Sequence, residues 1–216
     1  MKQEQIKTII EKLGKEYPEA RTELIYSSPF ELLVATILSA QTTDKQVNRV
    51  TAGLFKKYNK PEDFAVLSEK ELEKEISSIG LYRNKSRFII QASKLLIEKY
   101  QGFVPDNREE LMKLPGVGRK TANVVLACAF KQNAMPVDTH VFRLANRLGL
   151  VRSDKVEEVE EQLMKLIPED RWINFHHSLI AHGRKVCKAR APLCQNCILA
   201  DDCIYYKKKR GEINDS

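Results

Sequence analysis

Four cysteines fall within one short stretch, "CKARAPLCQNCILADDC", at positions 187, 194, 197 and 203. No other feature constrains the fold as tightly. The C-x6-C-x2-C-x5-C spacing lets four thiolates wrap one compact centre, with the C-x2-C pair converging on it, and so argues for a metal site. A tetrahedral zinc site uses four thiolates and a cubane iron–sulfur cluster uses the same four, so ligand chemistry alone leaves both open. Arg184, Lys185, Lys188 and Arg190 surround the loop and could present positive charge to phosphates. The fifth cysteine, Cys128, sits in the apolar run "ANVVLACAF" and reads as a small buried hydrophobe.

Elsewhere the chain is punctuated by helix starts. "SPFELLVATILSAQ" opens with Ser28, places Pro29 at a first helical position and Glu31 three residues after the Ser. That is a capping box ahead of an apolar helix. Phe30 to Leu38 is apolar on nearly every side, which places that helix in the middle of the fold. Ser68 with Glu71, Asn107 with Glu110 and Asp154 with Glu157 repeat the start signal. "KSRFIIQASKLLIEKY" and "VEEVEEQLMKLI" carry apolar residues three and four apart, and no sustained period-2 alternation occurs. The expected fold class is all-α. Pro61, Gly80, Gly102, Pro105, Pro168 and Gly183 fall singly and read as helix joints. The pattern alone places no domain boundary, and the basic "YYKKKR" reads as a solvated end.

With 216 residues and 43% apolar content the chain can bury a sizeable core. Lys and Arg outnumber Asp and Glu by 36 to 29, a balance that suits a polyanionic partner and also an ordinary soluble protein. "MKQEQIKTII" mixes charges with its apolar residues and lacks the apolar core of a signal peptide. No apolar run reaches the ~18 to 20 residues of a membrane span. The expectation is a soluble intracellular protein, cytoplasmic and nucleoid-associated if prokaryotic, with five thiols that are not disulfide-bonded.

"LPGVGRKTANVVL", Leu114 to Leu126, carries the sharpest local signal. Gly116 and Gly118 can adopt φ > 0 and let another backbone come close. The N–H groups of the helix that follows then face outward and, with its dipole, form an anion site. Leu-Pro, a Gly-x-Gly turn and a helix make the helix–hairpin–helix pattern, which holds a DNA phosphate without reading bases. A P-loop is excluded, because Arg119 separates Gly118 from Lys120 and the upstream "NREELMKL" is helical in pattern. Lys120 in a positive first helical turn is out of place on dipole grounds, where a cation is disfavoured. Phosphate binding would account for it without any chemistry.

These stretches, together with "LLVATILSAQTTD", "IGLYRNKS" and "PVDTHVFRLANRLGL", occur in this order over nearly the full length. The set resembles the endonuclease III family, the iron–sulfur DNA glycosylases and abasic-site lyases of the helix–hairpin–helix superfamily. The resemblance implies two helical domains with a DNA cleft between them: a six-helix barrel over 22–132, and a cluster domain joining 1–21 to 133–216. It implies a [4Fe–4S] cluster on Cys187, Cys194, Cys197 and Cys203, deciding for iron over zinc. It assigns the catalytic amine to Lys120 and the catalytic carboxylate to Asp138. Gln41 and Leu81 fall where the family fills the gap left by an extruded base, and His140 where it lines the pocket for that base. Gly116, Val117, Gly118 and Arg119 form the DNA-holding hairpin. Ile198 departs from the Pro common after the third cysteine, at a position that is not a ligand.

The residues themselves allow this chemistry. A helix from about Gly118 to Phe130 runs roughly 18 Å, and "KQNAMPV" can extend up to about 24 Å. The chain can therefore return Asp138 to the neighbourhood of Lys120, and Pro136 favours such an extended return. An unperturbed Lys is neutral only about 0.04% of the time at pH 7, and electropositive, desolvated surroundings favour the reactive neutral amine. Asp138 before "THVFRLANRLGL" is equally a good N-cap, and the two roles can coexist. His176, His177 and His182 read as structural. The resemblance implies a bifunctional enzyme acting, as a monomer, on oxidised pyrimidines or abasic sites in double-stranded DNA. Two alternatives are an adenine-type glycosylase, which lacks this Lys and usually carries a further C-terminal domain, and a non-catalytic DNA-binding module with a structural metal.

Overall fold

The computed structural model of the chain describes residues 3–213. Among them the regular structure is helical, without a β-strand, as the sequence pattern leads one to expect. In chain order the helices are α1 (Gln3–Glu16), α2 (Pro29–Ser39), α3 (Asp44–Lys57), α4 (Pro61–Ala65), α5 (Glu69–Glu75), α6 (Tyr82–Tyr100), α7 (Arg108–Met112), α8 (Arg119–Ala129), α9 (Thr139–Leu148), α10 (Val156–Leu166), α11 (Trp172–Lys185) and α12 (Ile204–Lys209). The chain divides into two compact units, Glu23–Gln132 and the combination of Met1–Thr22 with Asn133–Ser216. No helix among the described residues is long and apolar enough to cross a membrane.

In the Glu23–Gln132 unit, α2 is the central element and packs against α3, α6 and α8. Every residue from Phe30 to Leu38 is buried, and each fully buried Leu there contributes about 1.5–3 kcal/mol relative to exposure. The polar members of the stretch are satisfied locally: Thr36 Oγ1 donates to Leu32 O at 2.7 Å. Ser28 caps α2 as its sequence suggests, accepting from Glu31 N at 3.1 Å. The other half of that box is redirected. The Glu31 carboxylate accepts from the backbone N and the hydroxyl of Ser27, both at 2.6 Å, so the preceding residue is tied down instead of the cap. The Ser68–Glu71 box closes fully, and Asn107 caps α7 by accepting from Glu110 N.

In the other unit, Ile6, Ile9 and Leu13 of α1 share one apolar core with residues of α9, α10 and α11. α1 packs on α11, and α9 packs on α10, α11 and α12. The start signal at Asp154 is not used as expected. Helix α10 begins one residue later, with Lys155 in the cap position and no side-chain cap bond. Ser153 takes over, its hydroxyl accepting from Lys155 N at 3.0 Å and donating to Glu158 at 2.7 Å. Gly183 is not a joint either. It lies within α11, and a Cβ there would stand 2.7 Å from His140 Nδ1 and 3.1 Å from Arg143 Nη2. Its missing side chain is a packing requirement between two helices.

Two helical glycines therefore have opposite expected behaviour. Gly183→Ala is expected to lower the unfolding free energy by about 1–3 kcal/mol through overpacking. Gly53→Ala, at an α3 position with nothing within 4 Å of the added carbon, is expected to raise it by about 0.5–1 kcal/mol. Urea titration followed by circular dichroism checks both.

Candidate active site and iron–sulfur centre

The hairpin between α7 and α8 is fixed by its apolar residues and by one glycine. Leu114 and Val117 are buried, and Val117 N donates to Leu114 O at 3.1 Å to close the turn. Gly116 has φ +79°, and a Cβ there would lie 2.9 Å from Phe88 Cβ of α6. Gly118 departs from the expectation of positive φ. It is the N-cap of α8 with φ −92°, and nothing lies within 4 Å of where its Cβ would be. At Gly118 the glycine leaves open space in front of the helix end; it does not enforce a bend. Ala122 N is the first α8 donor to pair back onto Gly118 O, so helix geometry leaves the N–H groups of Lys120 and Thr121 without an intrahelical acceptor. Lys120 itself is exposed, second in α8, in a first turn with no acidic residue.

Gln41 and Leu81 belong to the same unit. Gln41 lies just past the end of α2 with φ +55°, and Leu81 is the N-cap of α6 with φ +58°. Left-handed backbone is uncommon for either residue type and concentrates at functional positions. Both are exposed, Leu81 by 53%, a large fraction for an apolar side chain. The two bends abut: a Cβ on Gly80 would be 3.3 Å from Gln41 O.

Asp138 and His140 lie in the other unit, at the start of α9. The segment leading there, 131–138, is irregular, and Ala134, Met135 and Val137 are buried. His176 Nδ1 donates to Pro136 O at 2.7 Å, which gives that histidine the structural role expected of it. Asp138 is half-buried and caps α9, with Oδ1 accepting from His140 N at 2.9 Å and Val141 N at 2.8 Å. Both cap bonds use one oxygen. His140 Nδ1 lies 3.1 Å from Arg143 Nη2. Because a guanidinium only donates, Nδ1 is the acceptor and Nε2 carries the proton. Burial, followed by Arg143 and Arg184, lowers the His140 pKa against the opposing pull of Asp138.

All four clustered cysteines are free thiols and border a single cavity with Leu144, Leu148 and His182. Four cysteine sulfurs around one cavity are the donor set that a cubane iron–sulfur cluster uses. Burial pushes the Cys197 thiol up to about 11 and Cys203 upward as well. Thiolates here therefore need a cationic centre to balance them, which iron supplies.

The partners around this loop were not legible in the sequence. His182, read as structural, places Nε2 3.2 Å from Cys197 Sγ and Nδ1 3.0 Å from the Tyr17 hydroxyl. Burial pushes His182 down to about 4 and Tyr17 up to about 12, so the imidazole stays neutral and the phenol stays protonated. With Cys197 as a thiolate, Nε2–H donates to sulfur and Nδ1 accepts from Tyr17. Arg147 donates to Cys187 Sγ at 3.5 Å, to Lys188 O at 2.7 Å and to Ala189 O at 2.9 Å. Arg143 donates to Cys187 O at 2.9 Å. The only sequence signal was two arginines four residues apart on one face of α9.

A glycine hairpin opening a helix and a loop of four cysteines, within an all-helical fold, define a helix–hairpin–helix DNA repair protein with an iron–sulfur centre. The chain belongs to the HhH-GPD superfamily of base excision DNA repair proteins, whose model matches residues 34–169. Within that superfamily it falls in the endonuclease III family: residues 187–203 match the iron–sulfur binding domain of endonuclease III. It is 52% identical over 200 residues to endonuclease III of Bacillus subtilis (strain 168), covering 92% of this chain and 91% of that protein. Two solved structures superpose on it at 50% identity. One is a trapped endonuclease III–DNA covalent intermediate, an estranged-adenine complex, with TM-score 0.93 over 97% of this chain and 99% of that one. The other is a non-covalent endonuclease III–DNA complex, with TM-score 0.94 over 98% and 99%. The enzyme is accordingly a DNA glycosylase with abasic-site lyase activity, and its cofactor is a [4Fe–4S] cluster.

The hydrogen bond from His182 to sulfur yields a direct expectation. His182→Phe should lose iron to a chelator roughly 10- to 100-fold more readily, read as bleaching of the visible cluster absorption, with Tyr17→Phe intermediate.

Proposed function

We propose that this enzyme removes oxidised pyrimidines from duplex DNA and then cleaves the strand 3′ to the abasic site through a Schiff base on Lys120. The observation that carries the proposal is the placement of Lys120. It is exposed beside the outward-facing N–H groups of α8, where a phosphate held by Gly116, Val117, Gly118 and Arg119 brings the sugar to its amine. The covalent DNA intermediate trapped in a relative agrees with a nucleophilic enzyme.

In this mechanism Gln41 fills the gap left by the extruded nucleotide and Leu81 wedges the opposite strand, which brings C1′ out of the stack. His140 lines the pocket for the base, offering its Nε2–H. As the glycosidic bond stretches, positive charge grows on the sugar, and the Asp138 oxygen not used by the cap stabilises it. The neutral Lys120 amine forms a bond to C1′ as the base departs with the electron pair of the C1′–N bond and then gains a proton. The amine loses its own proton, and the sugar ring opens to give the Schiff base. Removal of a C2′ proton expels the 3′ phosphate by β-elimination. Water then hydrolyses the imine and regenerates the amine. Cys187, Cys194, Cys197 and Cys203 hold the cluster, which supplies cationic charge that keeps the loop folded around it. The proposed partner is double-stranded DNA carrying oxidised pyrimidines or abasic sites, bound by a monomer of two domains.

Borohydride should trap wild-type protein covalently on thymine-glycol duplex, and Lys120→Gln should lose the adduct with at least about a 10³-fold fall in strand cleavage. An unchanged adduct in the variant places the nucleophile elsewhere, and no adduct in the wild type returns the non-catalytic binding module. Asp138→Asn separates the two roles of that residue. Because Asn caps about as well as Asp, stability should change by less than about 0.5 kcal/mol, while single-turnover base release falls roughly 10²- to 10³-fold.

A further inference from the structure

Lys85 is 3% exposed, an unusual burial for a lysine, and the chemistry above does not use it. Its ammonium donates to Leu38 O at 2.8 Å, Ala40 O at 2.6 Å and Thr42 Oγ1 at 3.2 Å. Three donors thus meet three acceptors. Burial pushes the amine down to about 8, and the three oxygens act in the opposite direction by favouring the charged form.

The acceptors are not scattered. Helix α2 ends with carbonyls that need partners. Thr36 O accepts from Ser39 Oγ, while Ile37 O and Ser39 O accept from Ala40 N and Thr42 N. Leu38 O is left to Lys85, a cation at the negative end of the helix. Ala40 O and Thr42 Oγ1 flank Gln41 on either side. The ammonium therefore grips the bend whose apex is Gln41.

The same residue also grips the second bend. Lys85 N donates to Leu81 O at 3.1 Å, closing the first turn of α6 behind the left-handed Leu81. A further tie runs from Gln46 Nε2 to Ser78 Oγ at 2.9 Å. Gln41 and Leu81, two exposed residues in unfavourable backbone conformations, are thereby fastened to one buried side chain and its own peptide group. Backbone strain of this kind persists only where its surroundings over-determine it.

We infer that Lys85 is a positioning residue for base extrusion, fixing the spacing between Gln41 and Leu81 so that both enter the duplex as one rigid fork. The inference rests on the roles proposed above for those two residues. A plain helix cap would need only the bond to Leu38 O; it would not need the bonds on both sides of Gln41.

The test uses the full-length, cluster-loaded protein and a duplex carrying a tetrahydrofuran abasic analogue opposite 2-aminopurine. Fluorescence of that base reports unstacking when the fork enters. Lys85→Met should weaken the fluorescence-detected complex roughly tenfold or more, since small misplacements of positioning groups carry penalties up to about a hundredfold. Thr42→Val, which removes one acceptor at the half-buried edge, should give a smaller loss in the same direction and keeps the test decisive if Lys85→Met does not fold. Affinity for undamaged duplex, held by the hairpin, should stay within about twofold in both variants. A fluorescence change equal to wild type in folded Lys85→Met, or in Thr42→Val, overturns the inference. So does an equal loss on undamaged duplex, which marks a merely structural lysine. Leu81→Ala separates the levels. If it leaves the fluorescence signal intact, the wedge role fails and this inference with it; if it abolishes the signal while Lys85→Met does not, the fault lies with Lys85 alone.

Discussion

Arg143 and Arg147 hold α9 to the cysteine loop, and much of the site depends on that attachment. Their guanidinium groups cover carbonyls of Cys187, Lys188 and Ala189 and one thiol, acceptors that an irregular loop cannot satisfy with its own backbone. Helix α9 is capped by Asp138 and carries His140 in its first turn. Arg143 joins the two regions directly, touching His140 on one side and Cys187 on the other. The imidazole in the first turn of α9 and the loop at Cys187 are therefore tied to one guanidinium. Gly183 lets this happen by allowing α11 to approach α9 at the level of His140.

The parts legible in the sequence share a property: their chemistry is local. The Ser68 box, the Asn107 cap, Pro29 at the first position of α2 and the cysteine spacing each involve a few neighbouring residues whose geometry the backbone fixes. The parts that escaped involve partners far along the chain. Tyr17 meets His182 at a separation of 165 residues, and Lys85 meets Leu38 at 47. No periodicity announces such meetings. Gly183 looked like a joint because glycine commonly marks one, whereas its real constraint is a neighbouring helix. Asp154 lost its cap to Ser153, one residue away and able to accept from the backbone while donating to Glu158.

Asp138 illustrates why position in sequence underdetermines role. The residue is an N-cap by every geometric measure, with two backbone donors on Oδ1. That anchoring immobilises the carboxylate without occupying both oxygens. A preorganised charge is what a developing cation requires, so on the proposed mechanism the cap is also what readies the carboxylate for the sugar.

The packing of Gly116 against Phe88 places the hairpin on α6, the helix whose first residues carry Leu81 and Lys85. Phe88 and Leu81 are seven positions apart, about 10 Å along a helix. On the proposed roles, α6 acts as a ruler. The site of phosphate capture and the site of intrusion are separated by a fixed length of rigid backbone, so each captured phosphate selects one nucleotide for displacement. On those same roles, the offset between capture and intrusion is a property of helix length and not of any contact with a base.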